Sequence, residues 1–219
     1  MAATAESAAI PELAFAVTGA GPVRHAAAPT LSFALRIDRA SGGSVRAILL
    51  DIQVQIAARR RRYDAADQER LYELFGAPEG WGSALRTLLW TRTTVVVPPF
   101  DDGTVVEVPV VCTYDLEVAA ARYFDGLEDG EVPLDFLFSG SVFYRGSGGA
   151  LQTARLPWEH EASYRLPVAV WRETIERHFP GSAWLRLSRD SYERLRAYRS
   201  RHALGSWEAV VDTLLRRSE

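Results

Sequence analysis

Apolar and polar residues alternate with a period of two along most of the first three quarters of this chain. Leu13, Phe15 and Val17 share one face, with Ala14 and Ala16 between them. Leu31, Phe33, Leu35 and Ile37 alternate with Ser32, Ala34, Arg36 and Asp38. Ile48, Leu50, Ile52, Val54 and Ile56 alternate with Asp51, Gln53 and Gln55 further along. Such spacing predicts half-buried strands with one wet face. The turn Ala40 to Ser44, with two glycines, predicts a hairpin between the second and third strands.

The period then changes. Asp64 is placed to cap a helix over roughly Ala65 to Phe75, and Gly76 to stop it. Trp81 and the apolar stretch Leu85 to Trp90 predict a second helix. Strand spacing returns at Thr93–Val97. In the next run Val106, Val108, Val110, Cys112, Tyr114, Leu116 and Val118 share a face, opposite Glu107, Thr113, Asp115 and Glu117. Pro109 bends that run or puts its first half at a sheet edge. After the loop Asp125–Gly130, residues Leu134, Phe136, Phe138, Val142 and Tyr144 again alternate. Gly140 inside this strand predicts a bulge or a close backbone contact. Gly146–Gly149 turns into Leu151–Leu156. From Pro167, suited to a first helical position, Val168, Trp171, Ile175 and Phe179 form a helical stripe ending at Pro180. A short extended piece, Trp184–Leu187, precedes a helix with a capping box at Asp190 and Glu193. Gly205 ends that helix and Ser206 caps a last one carrying Val210, Val211, Leu214 and Leu215.

These elements predict an α+β fold, an antiparallel β-sandwich or partly closed barrel with a helical C-terminal part. Residues 1–11 read as a disordered tail. Residues 12–165 read as a β-rich domain with a helical insertion near 64–90, and residues 166–219 as helices packed on the sheet.

Composition narrows the chemistry. The 219 residues include no lysine and no asparagine, and a single cysteine, Cys112. Schiff-base chemistry and a P-loop lysine are excluded, as are disulfides and paired-thiolate zinc sites within the chain. A formal charge of -3 gives no overall attraction to nucleic acid. No apolar run approaches the ~20 residues of a membrane span, and the N-terminus lacks a signal-peptide pattern. A reducing cytoplasm fits, and neither cofactor nor metal is expected.

Five features could carry chemistry. Cys112 falls on the apolar face of its strand, where burial makes a thiol inert. Asp115 and Glu117 sit two apart on a wet strand face, roughly 6–7 Å from each other by strand rise. That separation suits two-carboxylate hydrolysis, as it does many solvated strands. Trp158, Glu159, His160 and Glu161 form the densest polar-aromatic cluster. His160 is the candidate base there, but His25, His178 and His202 are too scattered to complete a metal set. Arg59, Arg60, Arg61 and Arg62 could bind an anion or an acidic partner. They also read as a solvated strand end pairing with Asp64, Asp67 and Glu69. The segment Trp184 to Leu215 looks like a ribbon-helix-helix layout, in which Arg186 and Ser188 would read bases.

Five stretches carry a family resemblance: Ala57–Tyr63 (AARRRRY), Leu71–Trp81 (LYELFGAPEGW), Cys112–Arg145, Pro157–Trp171 (PWEHEASYRLPVAVW) and Phe179–Leu195 (FPGSAWLRLSRDSYERL). Together they resemble an uncharacterised group of actinobacterial proteins whose genes often lie near nickel–iron hydrogenase genes. The resemblance covers nearly all of the chain beyond the N-terminal tail. It implies an accessory role in assembly, stability or electron-transfer partnership of a hydrogenase, and it assigns no residue a function.

The sequence holds no coherent set of acid, base, nucleophile and oxyanion donors, which argues against an enzyme. The expectation is a non-enzymatic accessory protein that presents a β-sandwich surface to a protein partner, in the hydrogenase setting that the resemblance implies. A DNA-binding regulator using the C-terminal segment is the alternative, and a hydrolase using Asp115, Glu117 or His160 the second alternative.

Overall fold

The computed structural model describes residues 9–112, 118–146, 149–157, 159–182 and 186–217. Residues cluster into two compact units, 1–183 and 184–219. The first unit is a sandwich of two open antiparallel sheets. Sheet A has the order β1 (Glu12–Pro22), β2 (Thr30–Ser41), β5 (Gly103–Val111). Sheet B has the order β4 (Leu88–Val97), β3 (Val45–Ile56), β6 (Glu131–Arg145), β7 (Leu151–Arg155), with β8 (Glu161–Pro167) also on β6.

Alternation explains which faces meet. Leu31, Phe33, Leu35 and Ile37 of β2 are buried, as are Ile48, Leu50, Ile52, Val54 and Ile56 of β3. Aromatic contacts bridge the sheets. Phe33 meets Phe136 edge-on at 5.1 Å, and Phe15 stacks on Phe138 at 4.6 Å. Pro109 lies on β5, an edge strand, where its missing N–H breaks no ladder.

The turn at 40–44 is not a hairpin. β2 and β3 belong to different sheets, so this turn crosses the end of the sandwich. Arg39 pins the crossing by donating to the carbonyls of Asp101 and Gly42. Alternation looks the same for two strands paired in one sheet and for two strands facing each other across a core, so the pattern could not separate these cases. Gly140 makes the expected close contact. Its φ is +142°, and a Cβ there would lie 2.0 Å from the Leu49 carbonyl oxygen. The β3–β6 register runs through this point without a shift.

The helical insertion begins as predicted. The Asp64 side chain accepts from the Asp67 N–H at 2.7 Å and caps α1 (Ala65–Arg70). After a break at Leu71, α2 (Tyr72–Phe75) ends at Gly76, with φ +74°. The second helix is one turn only, α3 (Trp81–Ala84). Leu88, Leu89 and Trp90 open strand β4 instead. There Gln55 pairs with Leu89 and Val54 with Thr91, so Trp90 is an extra, bulged residue. That bulge turns the indole inward onto Phe124 and Phe33.

Helix α4 (Ala119–Asp125) begins directly after Val118, where the period-two run ends, in a stretch the pattern left unassigned. It buries Tyr123 and Phe124. Helix α5 (Val168–His178) follows β8, with Pro167 as its N-cap one position before the expected site. Val168, Trp171 and Ile175 are buried, and the helix packs on β1, β2 and β8. Burial of each such side chain stabilises by roughly 1.5–3 kcal/mol.

The second unit holds α6 (Arg189–Arg201) and α7 (Trp207–Leu215). Ser188 caps α6 by accepting from the Ser191 N–H, in place of the expected Asp190. Ser206 caps α7 as predicted, accepting from the Ala209 N–H at 3.1 Å. Trp184 and Leu185 of the expected extended piece lie outside the described residues, and residues 186–188 are irregular. Among the described residues no helix is long and apolar enough to cross a membrane.

Candidate functional site

The sequence-predicted polar residues fall in different places. Asp115, Glu117 and Trp158 lie outside the described residues. His160 lies in the short link between β7 and β8. Its ring is half-buried, 5.3 Å from the Phe15 ring, and its backbone carbonyl accepts from the Phe138 N–H at 2.9 Å. Residues 159 and 160 thus link β7 to β8 along the same side of β6, and Glu161 opens β8. Cys112 follows β5 directly and is buried. Its thiol contacts the Val110 carbonyl oxygen at 3.6 Å, and burial pushes its pKa up to about 12. Such a thiol is not a nucleophile near neutral pH.

The arginine run is not a strand end. β3 stops at Ile56, and residues 58–60 form a 3-10 turn. After this turn the guanidinium groups of Arg59, Arg60 and Arg61 go to different partners. Arg59 donates to the Gly82 carbonyl at 2.8 Å. Arg60 pairs with Asp135. Arg61 is largely buried, and donates to Asp67 at 3.1 Å and to the carbonyls of Glu131 and Asp129 at 2.9 and 2.8 Å. Arg62 is exposed beside them.

Asp67 joins this corner together. Its carboxylate meets Arg61 on one side and Arg70 at 3.2 Å on the other, and Arg70 reaches Glu128 at 3.3 Å. Under Arg61 lies a phenol pair. Tyr63 and Tyr123 share a hydroxyl–hydroxyl hydrogen bond of 2.7 Å, and the Tyr63 hydroxyl also reaches the Ala58 carbonyl at 2.7 Å. Burial raises the pKa of both phenols, which holds them neutral. The corner ties the helical insertion to the sandwich, and three of its arginines already have partners within the chain.

A different surface offers open chemistry: the outer face of sheet B along β3 and β4. Leu49 and Val96 are cross-strand neighbours there, 45% and 70% exposed. The next pair along is Asp51 and Thr94, whose hydroxyl donates to the Asp51 carboxylate at 2.6 Å. Then come Gln53 and Arg92, joined at 3.2 Å. Leu137 and Ser139 of β6 complete an open groove over these polar pairs. β4 is an edge strand of sheet B. The sequence carried one signal for this surface: Leu49 is apolar on a face where Asp51, Gln53 and Gln55 are polar. Among the described residues no group of three His, Cys, Asp or Glu side chains could hold a metal ion.

The chain belongs to the family described as "Family of unknown function (DUF6084)", which matches residues 10–219. No curated protein matches the sequence. Among solved structures, the CARDB domain of a Pyrococcus furiosus protein in complex with di-metal ions is 12% identical. That match covers 71% of this chain and 91% of that one, with a TM-score of 0.29. The putative ApaA protein from Bordetella pertussis is 11% identical, covering 71% and 93%, also at 0.29. A beta-glucosidase 3B from Thermotoga neapolitana in complex with alpha-D-glucose is 13% identical, covering 71% and 17%, at 0.26. Likenesses of that size carry no argument about this chain.

Proposed function

We propose that this protein is a non-enzymatic accessory protein that presents the outer face of sheet B to a protein partner. The observation that supports this best is the exposed Leu49–Val96 pair, set beside the polar groove of Asp51, Gln53, Arg92 and Thr94. Partner-binding surfaces commonly place an apolar centre within a polar rim, and an arginine at the edge adds a geometrically specific donor. The arginine corner contributes less, because Arg59, Arg60 and Arg61 are held inside the chain. The partner in this reading is a component of a nickel–iron hydrogenase system, served in its assembly or stability. That part rests on the five segments that resemble actinobacterial proteins encoded near hydrogenase genes.

Affinity purification of the tagged chain from its native host, with identification of co-purifying proteins, tests the reading. A hydrogenase component retained through high-salt washes is the expected result. A second reading, a DNA-binding regulator, draws on the eight arginines against five acidic residues in residues 184–219. An anisotropy titration on host promoter DNA separates the two. Sub-micromolar, sequence-dependent binding would favour the regulator and count against the accessory role.

A further inference from the structure

The C-terminal unit has little core of its own. No residue of α6 is buried, and Val210 is the buried residue of α7. The two helices are joined mainly by rings and cations. Tyr192 lies 5.6 Å from the Trp207 ring, Arg199 sits over the same indole at 5.0 Å, and Arg217 lies 5.8 Å from the Tyr198 ring. Units below about 40 residues usually need disulfides, metals or oligomerisation to be stable. Residues 184–219 contain no cysteine and one histidine, His202, so a disulfide and a Cys/His zinc site are closed to them, and among the described residues no group of three His, Cys, Asp or Glu side chains could hold a metal ion.

The third route is open. Trp207, Val211, Leu214 and Leu215 are all exposed, and they recur along α7 at i, i+4, i+7 and i+8. That is the spacing of a helix–helix seam. Trp207 at the edge of the stripe, through Tyr192 and Arg199, and Arg217, through Tyr198, mark the side of α7 that faces α6. At about 100° per residue, Glu208 and Asp212 therefore border the seam on the side away from α6. Helix α6 carries Arg189, Arg194, Arg196, Arg199 and Arg201 against only Asp190 and Glu193. One helix of the hairpin is thus acidic at its free edge, and the other is basic.

The hairpin is complementary to itself. Two copies laid seam to seam, about a two-fold axis along α7, place Glu208 and Asp212 of one copy beside α6 of the other. The four helices then close around a shared apolar centre. We propose that the chain dimerises through the Trp207–Val211–Leu214–Leu215 seam, with a second copy of the chain as its occupant. A second copy supplies both the apolar stripe and the opposite charges in matching positions.

Sedimentation equilibrium of the full chain, from about 1 to 100 μM, tests this. The expected mass at the upper end is twice 24.3 kDa. Val211→Glu and Leu215→Glu change exposed positions, so the far-UV circular dichroism should persist while the dimer weakens at least about tenfold. Asp212→Arg should weaken it as well, and Val96→Glu on the sandwich should leave it intact. A monomer at the top concentration overturns the proposal. So does a dimer untouched by Val211→Glu, or one dissolved by Val96→Glu. None of these outcomes bears on whether a hydrogenase component binds sheet B.

Discussion

Replacing Trp171 with alanine should destabilise the whole sandwich. The indole is 4% exposed and stacks on Phe124, with ring centroids 5.3 Å apart and planes 12° from parallel. Phe124 in turn contacts Trp90 at 4.8 Å, so the ring belongs to a chain of contacts reaching into β4. Removing a buried aromatic ring costs about 3–5 kcal/mol. The stacked pair accounts for about 0.5–1.5 kcal/mol of that. In a chain of this size each kcal/mol lowers the melting temperature by roughly 2–4 °C, so the drop should be roughly 6–20 °C. Thermal and urea unfolding, followed by circular dichroism and tryptophan fluorescence, measures it. Both probes should shift together for the sandwich, since α5 packs directly on its strands. Arg177→Ala on the exposed side of α5 is the control, with an effect within about 0.5 kcal/mol. A loss below about 1 kcal/mol for Trp171→Ala would refute the placement of α5 on the core.

Two further outcomes follow from the same packing. The Cys112 thiol is raised from 9.0 to about 12 by burial, so the fold favours its neutral form. Its contribution is fully present below the unfolded pKa and is lost as pH rises through the folded one. Stability to urea should therefore fall between pH 9 and about 12. Tyr63 and Tyr123 push in the same direction, and with no lysine in the chain no ammonium titrates there. Cys112→Ala should flatten part of that slope, and an unchanged slope would contradict the assignment. Gly140→Ala should cost about 2–5 kcal/mol in chemical denaturation, from backbone strain and overpacking against Leu49. A loss below about 1 kcal/mol would show that the strand can yield at this point.

The sequence reveals faces better than partners. Alternation in β1, β2, β3 and β6 identifies the buried positions because a half-buried strand must repeat every two residues. The caps Asp64 and Ser206 are legible because each satisfies a backbone donor only a few residues away. Whatever depends on distant residues is hidden. The link at 40–44 reads as a hairpin until Arg39 is seen bonding to Asp101 and Gly42 across the end of the sandwich. Trp90 breaks the alternation of β4 by one residue, which makes its start resemble a helix. Ala162, Tyr164 and Leu166 do alternate, but β8 is short and sits between two prolines. The arginine run looks like one charged patch, yet a single 3-10 turn divides it among Gly82, Asp135 and Asp67. The Leu49–Val96 patch joins strands that no local pattern pairs.

The proposed accessory role rests on the outer face of sheet B, and one comparison tests it most directly. The wild-type chain and the Leu49→Glu, Val96→Glu double variant are tagged and captured in parallel from the native host. Both positions are exposed, so the variant should keep its fold and its circular dichroism. The account predicts a hydrogenase component retained by the wild type and depleted at least about tenfold with the variant, a loss near 1.4 kcal/mol. Equal capture by the two proteins would contradict it, and so would capture of no such component by the wild type.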